Sequence, residues 1–308
     1  MNEQPLTPLE AKPDLAVKLG LSSLYFKRED LHPYKSHKGR SIPRLIDSGL
    51  NDGIRSFVIS SSGNAGLAAA MHVAHLNKER GPEESIYLSI FVGNKISEEK
   101  FKALEEVAKT DPQILLEKVQ RPLQSLLQMT RRGAFSLRQS TNDKALEGYK
   151  SLANELSEIS DLKAVFIATS SGTTAEALHE EFLRLKMKTE IHIVQTTSCH
   201  PIAGIFDRER MDDDSEEAEP QNIPDSKATA ISDKIAYRKE KVQKAVKDSE
   251  GGGWIVLDKE IDEAIKTLSA EAGIETTPNG ALSFAGLLRA KSKGRAWDGP
   301  VVCIISGK

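Results

Sequence analysis

The chain has 308 residues, of which 39% are hydrophobic and 28% charged, so its composition excludes intrinsic disorder. At roughly 150 residues per domain, this length predicts two domains. With 42 Lys and Arg against 45 Asp and Glu, the net charge of −3 excludes a globally basic nucleic-acid-binding protein. The two cysteines cannot build a disulfide framework, and no apolar run approaches the ~18 residues of a membrane span. We therefore expect a soluble cytoplasmic protein without nucleic-acid or membrane partners.

Apolar runs alternate with helical patterns along most of the chain, beginning with a strand at 56–60 that leads into a small-residue helix at 64–76. A helix is predicted over 144–158, where apolar residues recur at three- and four-residue spacing. The other predicted strands are 85–92, 114–119, 164–168, 190–195, 254–257 and 299–305, and further helices are predicted at 97–109, at 174–185 and between Asp258 and Gly273. This alternation predicts an α/β fold with βαβ units and mostly parallel sheets.

Three loops that follow predicted strands are rich in serine, threonine and glycine: 60–66, 169–174 and 306–308. Open α/β sheets bind ligands at the carboxyl ends of their strands, and a loop of this kind that opens a helix presents backbone N–H groups to an anion. None of the loops matches GxxxxGK[ST] or GxGxxG, which disfavours a nucleoside triphosphate or a dinucleotide. Each loop taken alone is also typical of a structural turn, whereas two in one chain favour a phosphate or carboxylate site.

Positive charge is concentrated in the segment 25–40, which contains Lys35, His37, Lys38 and Arg40. A lysine that is crowded by cations and partly desolvated is a usable amine nucleophile. A solvated basic loop and a patch for a phosphate backbone are the alternatives that these residues leave open.

The segment 25–40 resembles the lysine motif of the fold-type II pyridoxal-phosphate enzymes, the tryptophan synthase β superfamily, which reads K-x-E-x-x-x-P-T-G-S-F-K-D-R-G. Further matches follow in the order of that family, since 147–153 resembles its E-G-Y-K-T-I-A helix and 169–174 resembles its phosphate loop. The residues that match the lysine motif are Lys27, Glu29, Pro33, Ser36, His37, Lys38, Gly39 and Arg40.

The resemblance implies pyridoxal 5′-phosphate as the cofactor and gives the matching residues their roles. Lys38 would carry the cofactor and move the α-proton of the substrate, Asn64 would contact the 3′-oxygen of the cofactor, and Ser306 would face its pyridine nitrogen. The implied phosphate-binding residues are Thr169, Ser170, Ser171, Gly172, Thr173 and Thr174. The implied ligands of the substrate carboxylate are Ser61, Ser62, Gly63, Asn64 and Ala65.

The same resemblance implies a two-domain α/β architecture in which a smaller domain is inserted into a larger one. The expected large, cofactor-binding domain comprises residues 1–52 with 143–308, and the expected smaller α/β domain comprises 53–142. A homodimer is expected, with a small amino acid as the substrate.

Within the superfamily, the loop 60–66, the run 228–231 and the ending 305–308 most resemble threonine synthases. A neutral hydroxyl at Ser306 would leave the pyridine nitrogen largely unprotonated, which suits elimination or replacement at Cβ or Cγ better than transamination. The favoured reaction is that of a lyase that converts O-phosphohomoserine to threonine and phosphate.

Other features keep alternatives open. The run 27–31 fits threonine and serine dehydratases equally well, and the His37-Lys38 pair resembles the tryptophan synthase β chains, which catalyse a replacement. Thr277 stands where threonine synthases carry a glutamate, and Gly39 stands where an aspartate is common. A non-catalytic protein that kept the fold and binds an anion at the basic cluster is the alternative from a different class.

Overall fold

The computed structural model describes residues 6–61, 63–94, 96–207 and 225–307. Its strands are β1 (Leu9–Ala11), β2 (Ser23–Arg28), β3 (Ser56–Ser60), β4 (Tyr87–Gly93), β5 (Ile114–Val119), β6 (Phe135–Ser136), β7 (Ala164–Ala168), β8 (Glu190–Thr196), β9 (Gly252–Val256) and β10 (Pro300–Ile305). Its α-helices are α1 (Pro13–Lys18), α2 (Lys38–Asn51), α3 (Asn64–Asn77), α4 (Glu98–Ala108), α5 (Pro122–Arg131), α6 (Lys144–Glu147), α7 (Lys150–Ser157), α8 (Thr173–Arg184), α9 (Lys239–Asp248), α10 (Asp258–Thr267) and α11 (Pro278–Ser292). No helix within these described ranges is both long and apolar enough to cross a membrane.

The chain divides into two compact units, which we call unit 1 (1–32 with 149–308) and unit 2 (33–148). Their bounds differ from the expected domain bounds, because 33–52 and 143–148 belong to unit 2.

The packing of α2 explains why the segment that contains it belongs to unit 2. Ile42, Leu45 and Ile46 lie three and four residues apart, so they share one face of the helix. All three are fully buried in the same apolar cluster as Phe57 of β3. Burial of such a side chain contributes about 2 kcal/mol, so α2 is held by this cluster.

Unit 1 is built on a sheet with the strand order β1-β2-β10-β7-β8-β9 among the described residues. Only the β1–β2 pair is antiparallel within that sheet; the other neighbours run parallel. Because β10 and β7 pair in parallel, with Cys303 opposite Phe166, their carboxyl ends lie at the same edge of the sheet. The helix α11 packs on this sheet, where Gly286 allows a close approach: a Cβ at that position would lie 2.2 Å from Val194 Cγ2.

Unit 2 contains a second sheet with the strand order β5-β4-β3-β6, and all of its pairs are parallel within the described residues. Together the two sheets and their helices confirm the predicted α/β fold class with mostly parallel strands.

The prediction of one continuous helix over 144–158 is wrong, because α6 and α7 are separated at Gly148 and Tyr149. Gly148 lies against the backbone of α2, where a Cβ would come within 2.2 Å of the carbonyl oxygen of Arg40. This approach depends on a long-range contact, which the local apolar spacing does not reveal.

Candidate active site

The loop between β7 and α8 has the backbone of an anion-binding turn. Gly172 has φ +88°, a left-handed conformation that favours glycine, and a Cβ there would lie 2.5 Å from Val242 Cγ2. The helix α8 begins at the next residue, Thr173. The N–H groups of its first turn have no acceptor within the helix, and the helix dipole adds positive potential there. The predicted phosphate loop is therefore a helix N-terminus of the kind that binds anions.

The hydroxyl groups of this loop mainly hold the loop together. Thr169 Oγ1 donates to the carbonyl oxygen of Ile167 at 2.9 Å, and Ser171 Oγ lies 3.0 Å from Thr173 Oγ1. Ser170 Oγ accepts hydrogen bonds of 3.2 Å from the backbone N–H groups of residues 232 and 233. Ser170, which the resemblance assigns to the phosphate, thus also fastens a second segment of unit 1 to the loop.

A buried carboxylate lies in the first turn of α8, close to where an anion would bind. Glu176 is 2% exposed, and its two carboxylate oxygens lie 2.8 Å from Arg238 Nη1 and 3.0 Å from Lys241 Nζ. These two cations offset the charge of Glu176, so the first turn of α8 can still accept an anion.

Gln195 contacts the predicted phosphate loop, and the sequence pattern did not single it out. It is fully buried at the carboxyl end of β8, and its Nε2 donates to the carbonyl oxygen of Thr169 at 3.1 Å. Its Oε1 accepts from the N–H groups of Ile202 and Ala203 at 2.9 Å and 2.8 Å. The available signal was an amide side chain directly after the apolar pair Ile193 and Val194, near the end of the strand.

Ser306 follows β10 directly and is buried, at 8% exposure. The strand end before it is fixed by Ser283 of α11, whose hydroxyl donates to the carbonyl oxygen of Ile304 at 2.8 Å. Ser306 and the predicted phosphate loop therefore lie at the carboxyl edge of the same sheet, after two neighbouring strands.

Lys38 is the first residue of α2 in unit 2 and is half-buried. The loop before it is held by Tyr34, whose hydroxyl lies 2.9 Å from His72 Nδ1 on α3. Ser36 and Arg40 are fully buried. Because Arg40 is inaccessible to water, this segment is not a wholly solvated basic loop.

The first part of the lysine motif lies in unit 1, where its charges are paired. Lys27 Nζ donates to the carbonyl oxygen of Thr7 at 2.6 Å and forms a salt bridge with Glu155. Glu29 is fully buried and accepts a hydrogen bond of 2.5 Å from Thr7 Oγ1. These residues have a structural role at the end of β2.

The predicted carboxylate loop of unit 2 opens α3. Asn64 and Ala65 are the first two residues of that helix, and Ser61 Oγ accepts a hydrogen bond of 3.4 Å from the N–H of Gly63. Ser62 lies outside the described residues. Like the loop before α8, this loop places the N–H groups of a helix N-terminus at the end of a parallel strand, which suits a carboxylate.

The candidate residues thus form two groups, one in each unit. Lys38, Ser61, Gly63, Asn64 and Ala65 belong to unit 2, whereas Ser306 and residues 169–174 belong to unit 1.

Comparison with known proteins supports the resemblance over nearly the whole chain. Residues 3–307 match the model of the family described as "Pyridoxal-phosphate dependent enzyme". The threonine synthase of Methanocaldococcus jannaschii is 26% identical to this chain over 98% of the chain and 74% of that protein. The threonine synthase of Mycobacterium tuberculosis is 25% identical, over 98% of this chain and 80% of that protein.

Solved structures share the fold at lower sequence identity. The processed form of threonine deaminase isoform 2 from Solanum lycopersicum has a TM-score of 0.80 and 19% identity, over 98% of this chain and 84% of that chain. Maize serine racemase has a TM-score of 0.77 and 16% identity, over 98% of this chain and 88% of that chain.

Proposed function

The chain belongs to the pyridoxal-phosphate dependent enzyme family, and on that premise we propose that it is a lyase of the threonine synthase type, which converts O-phosphohomoserine to threonine and phosphate. Its cofactor is pyridoxal 5′-phosphate and its fold is that of the fold-type II enzymes, so both predictions are confirmed. The observation that carries the proposal is the buried, neutral Ser306 at the end of β10, in a chain that aligns with threonine synthases over 98% of its length.

The loop before α8 fits the phosphate group of the cofactor. Only glycine combines the φ of Gly172 with the space left by Val242, and this conformation leads directly into the free N–H groups of the first turn of α8. The pairing of Glu176 with Arg238 and Lys241 reduces repulsion of an incoming dianion. The N–H groups at 172–174 would therefore hold the phosphate, and Ser170 and Gln195 would keep the loop in place.

Ser306 bears on the type of reaction. Bound pyridoxal phosphate supplies an electron sink for the bond that breaks at the α-carbon of an amino acid. A hydroxyl gives the pyridine nitrogen a neutral hydrogen bond, whereas a carboxylate would stabilise its protonated form. Because an unprotonated ring is the weaker sink, Ser306 favours loss of a group from Cβ or Cγ over transamination.

Lys38 and the loop before α3 would act on the substrate. Lys38 Nζ would carry the cofactor until the substrate amine takes its place, and the released amine would then accept the proton of the α-carbon. The N–H groups of Asn64 and Ala65 at the start of α3 would bind the substrate carboxylate, and the side chain of Asn64 would orient the cofactor ring.

A substrate panel tests this proposal against the dehydratase alternative. The purified holoenzyme is incubated with O-phosphohomoserine, L-threonine or L-serine, and phosphate, threonine, 2-oxo acids and pyridoxamine phosphate are measured. We expect equal amounts of phosphate and threonine from O-phosphohomoserine, and no product from Lys38→Ala. 2-Oxobutyrate from threonine, with no phosphate released from O-phosphohomoserine, would make the enzyme a dehydratase. Stoichiometric pyridoxamine phosphate would contradict the reaction type.

A homodimer and a cytoplasmic location stay predictions of the resemblance. Sedimentation equilibrium of the full chain checks the first, and fractionation of cells that express it checks the second.

A further inference from the structure

A histidine of α3 contacts both α2, which begins at Lys38, and the loop 33–37 that leads into it, which we call the lysine loop. His72 is buried, at 8% exposure, and its Nδ1 lies 2.9 Å from the hydroxyl oxygen of Tyr34 in the lysine loop. Its Nε2 lies 3.6 Å from Asp47 Oδ1 on α2. The rings of Tyr34 and His72 meet edge to face, with their centroids 5.7 Å apart. One side chain of α3 thus joins the lysine loop to the helix that follows it.

The hydrogen bond between Tyr34 and His72 has a direction. Burial, together with the negative charge of Asp47, raises the pKa of Tyr34, so its hydroxyl keeps its proton and can donate it. The carboxylate of Asp47 faces Nε2 of His72 and can only accept, which favours the ring proton on that nitrogen. His72 Nδ1 is then the acceptor for the hydroxyl of Tyr34.

The backbone of the lysine loop is strained beside this hydrogen bond. Lys35 directly follows Tyr34 and has φ +63°, a left-handed conformation that costs free energy in a residue with a side chain. Such a conformation persists where the surrounding structure over-determines it. Lys35 is exposed, and no described residue pairs with its ammonium group. The loop is therefore held by its other residues: Tyr34 before Lys35, and buried Ser36 after it, whose Oγ accepts from the N–H of Lys38 at 3.3 Å.

Apolar packing between α2 and α3 does not supply the same constraint. The buried side chains of α2 and the alanines of α3 share one apolar cluster, and the ring of Tyr34 packs against it. Hydrophobic burial is non-directional, whereas a hydrogen bond requires a particular distance and angle. Because α3 begins at Asn64, a fixed contact between α3 and the lysine loop also fixes Lys38 relative to the predicted carboxylate loop.

We propose that His72 is a positioning residue for Lys38: by accepting the hydrogen bond of Tyr34, it holds the lysine loop in the conformation that presents the amine of Lys38 to the aldehyde of the cofactor. The amine condenses with that aldehyde to a C=N bond, and one molecule of water is released. The condensation depends on where the attacking amine is placed, whereas binding of the cofactor phosphate at the loop before α8 does not. This inference rests on the proposed role of Lys38 and adds the contact that sets its position.

Trypsin digestion of the cofactor-free, full-length protein tests the lysine loop by itself. Cleavage after Lys35 or Lys38 requires the loop to open, and its rate follows the population of the open form. Tyr34→Phe and His72→Phe remove the hydrogen bond, so both should be cleaved there about threefold to tenfold faster. His72→Asn keeps an amide oxygen close to the position of Nδ1 and should be cleaved at nearly the wild-type rate. Tyr87→Phe, at a half-exposed position of β4 in the same unit, is the matched control and should not change the rate.

Two ligands separate the positioning of Lys38 from a general loss of structure. Pyridoxal phosphate can condense with the amine, whereas pyridoxine phosphate has an alcohol in place of the aldehyde and cannot. In Tyr34→Phe, which removes a single oxygen atom, the Kd for pyridoxal phosphate should rise about threefold to tenfold. The Kd for pyridoxine phosphate should keep its wild-type value. Fluorescence titration of the cofactor-free protein measures both.

Three results would overturn the proposal. The first is an unchanged cleavage rate or an unchanged Kd for pyridoxal phosphate in Tyr34→Phe. The second is equal weakening of both ligands, which would make the contact merely structural. The third is a His72→Asn variant that behaves like His72→Phe, since the hydrogen bond would then not be the cause.

Lys38→Ala distinguishes a failure of this inference from a failure of the proposed function. This variant should lose the preference of the wild-type protein for pyridoxal phosphate over pyridoxine phosphate. If it keeps that preference, another amine holds the cofactor, and the proposed role of Lys38 fails together with this inference. If it loses the preference while Tyr34→Phe binds both ligands as the wild-type protein does, only the positioning role of His72 is wrong.

Discussion

Polar groups at the two ends of the unit 1 sheet differ in how completely they are hydrogen-bonded within the protein. At the amino-terminal end, Glu190 Oε2 accepts hydrogen bonds from His192 Nε2 at 2.8 Å, from Trp297 Nε1 at 2.8 Å and from Arg295 Nη2 at 2.9 Å. At the carboxyl end, Thr276 has no partner among the described residues, and the first turn of α8 opens with N–H groups that no helical carbonyl can reach. The groups around Glu190 are satisfied by internal hydrogen bonds, whereas the carboxyl end, beside the satisfied Gln195, also contains donors without an internal acceptor.

The amino-terminal end also fixes the protonation of its histidine. His192 Nδ1 accepts from Trp254 Nε1 at 3.1 Å, so the ring proton is on Nε2 and points to Glu190. The ring is fully buried and stacks on Phe166 with centroids 4.4 Å apart. Burial lowers the pKa of His192 and keeps it neutral. Burial alone would raise the pKa of Glu190, but hydrogen bonds from His192 and Trp297 lower it overall.

The difference between the ends separates stability from binding. Hydrogen bonds that are complete in the protein alone stabilise it without any ligand. Donors that are left open cost stability until an acceptor arrives, so they strengthen binding. Substitutions around Glu190 should therefore change the free energy of unfolding and leave cofactor affinity unchanged, whereas substitutions at the carboxyl end should weaken cofactor binding.

The largest expected effect is at the amino-terminal end. Glu190→Ala removes the acceptor of His192 and Trp297 and should lower the free energy of unfolding by about 3 kcal/mol, because two buried donors lose their partner. Urea unfolding measures this loss, and titration with pyridoxal phosphate should show an unchanged Kd. Glu263→Ala, at an exposed position in the middle of α10, is the control and should change neither quantity. A weakened Kd in Glu190→Ala would remove the distinction between the two ends.

The next effect is at the carboxyl end. In Gly172→Ala, the backbone would have to keep φ +88° with a Cβ that lies 2.5 Å from Val242 Cγ2, so the loop must shift. We therefore expect the Kd for pyridoxal phosphate to rise at least about tenfold, which corresponds to about 1.4 kcal/mol of binding free energy. Gly273→Ala is matched, since Gly273 has φ +63° but no described atom would lie within 4 Å of a Cβ at that position. Gly273→Ala should lower the free energy of unfolding by about 1 kcal/mol and leave the Kd for pyridoxal phosphate unchanged. Equal changes of Kd in both variants would show that backbone strain alone is responsible.

The smallest expected effect is the dependence of stability on pH. Because the pKa of His192 is lowered in the folded protein, the unfolded chain takes up this proton first, below about pH 6.5. The stabilisation is therefore complete above that pH and is lost as the pH falls through it, by about 1 kcal/mol at pH 5.5. His192→Gln keeps a donor and an acceptor but does not titrate, so its unfolding free energy should fall less between pH 7.5 and 5.5. An identical fall in both proteins would assign the pH dependence to other groups.

Local sequence patterns predict one end of the sheet far better than the other. The predicted phosphate loop is a local feature, since an apolar run at 164–168, a Ser-Ser-Gly turn and a helical pattern follow one another directly along the chain. The amino-terminal cluster joins Glu190 to Trp297, which is 107 residues away, so no spacing along the chain reveals it.

The features that the sequence analysis did not predict also depend on contacts between residues that are distant along the chain. The break at Gly148 depends on the approach of Arg40, and the role of Gln195 depends on two loops that pack around it. The lack of a partner for Thr276 is visible only when every neighbouring atom has a position. Sequence patterns therefore find residues that carry chemistry by their type, and the packed structure is needed to find those that act through their surroundings.

Peptide mapping of the borohydride-reduced holoenzyme tests the central claim, that this chain works through a cofactor carried by Lys38. Reduction fixes the cofactor to the amine that holds it, and mass spectrometry then locates the phosphopyridoxyl group. We expect one modified peptide, with the group on Lys38, and none in Lys38→Ala. Modification of a different lysine, or an unmodified protein, would contradict the account.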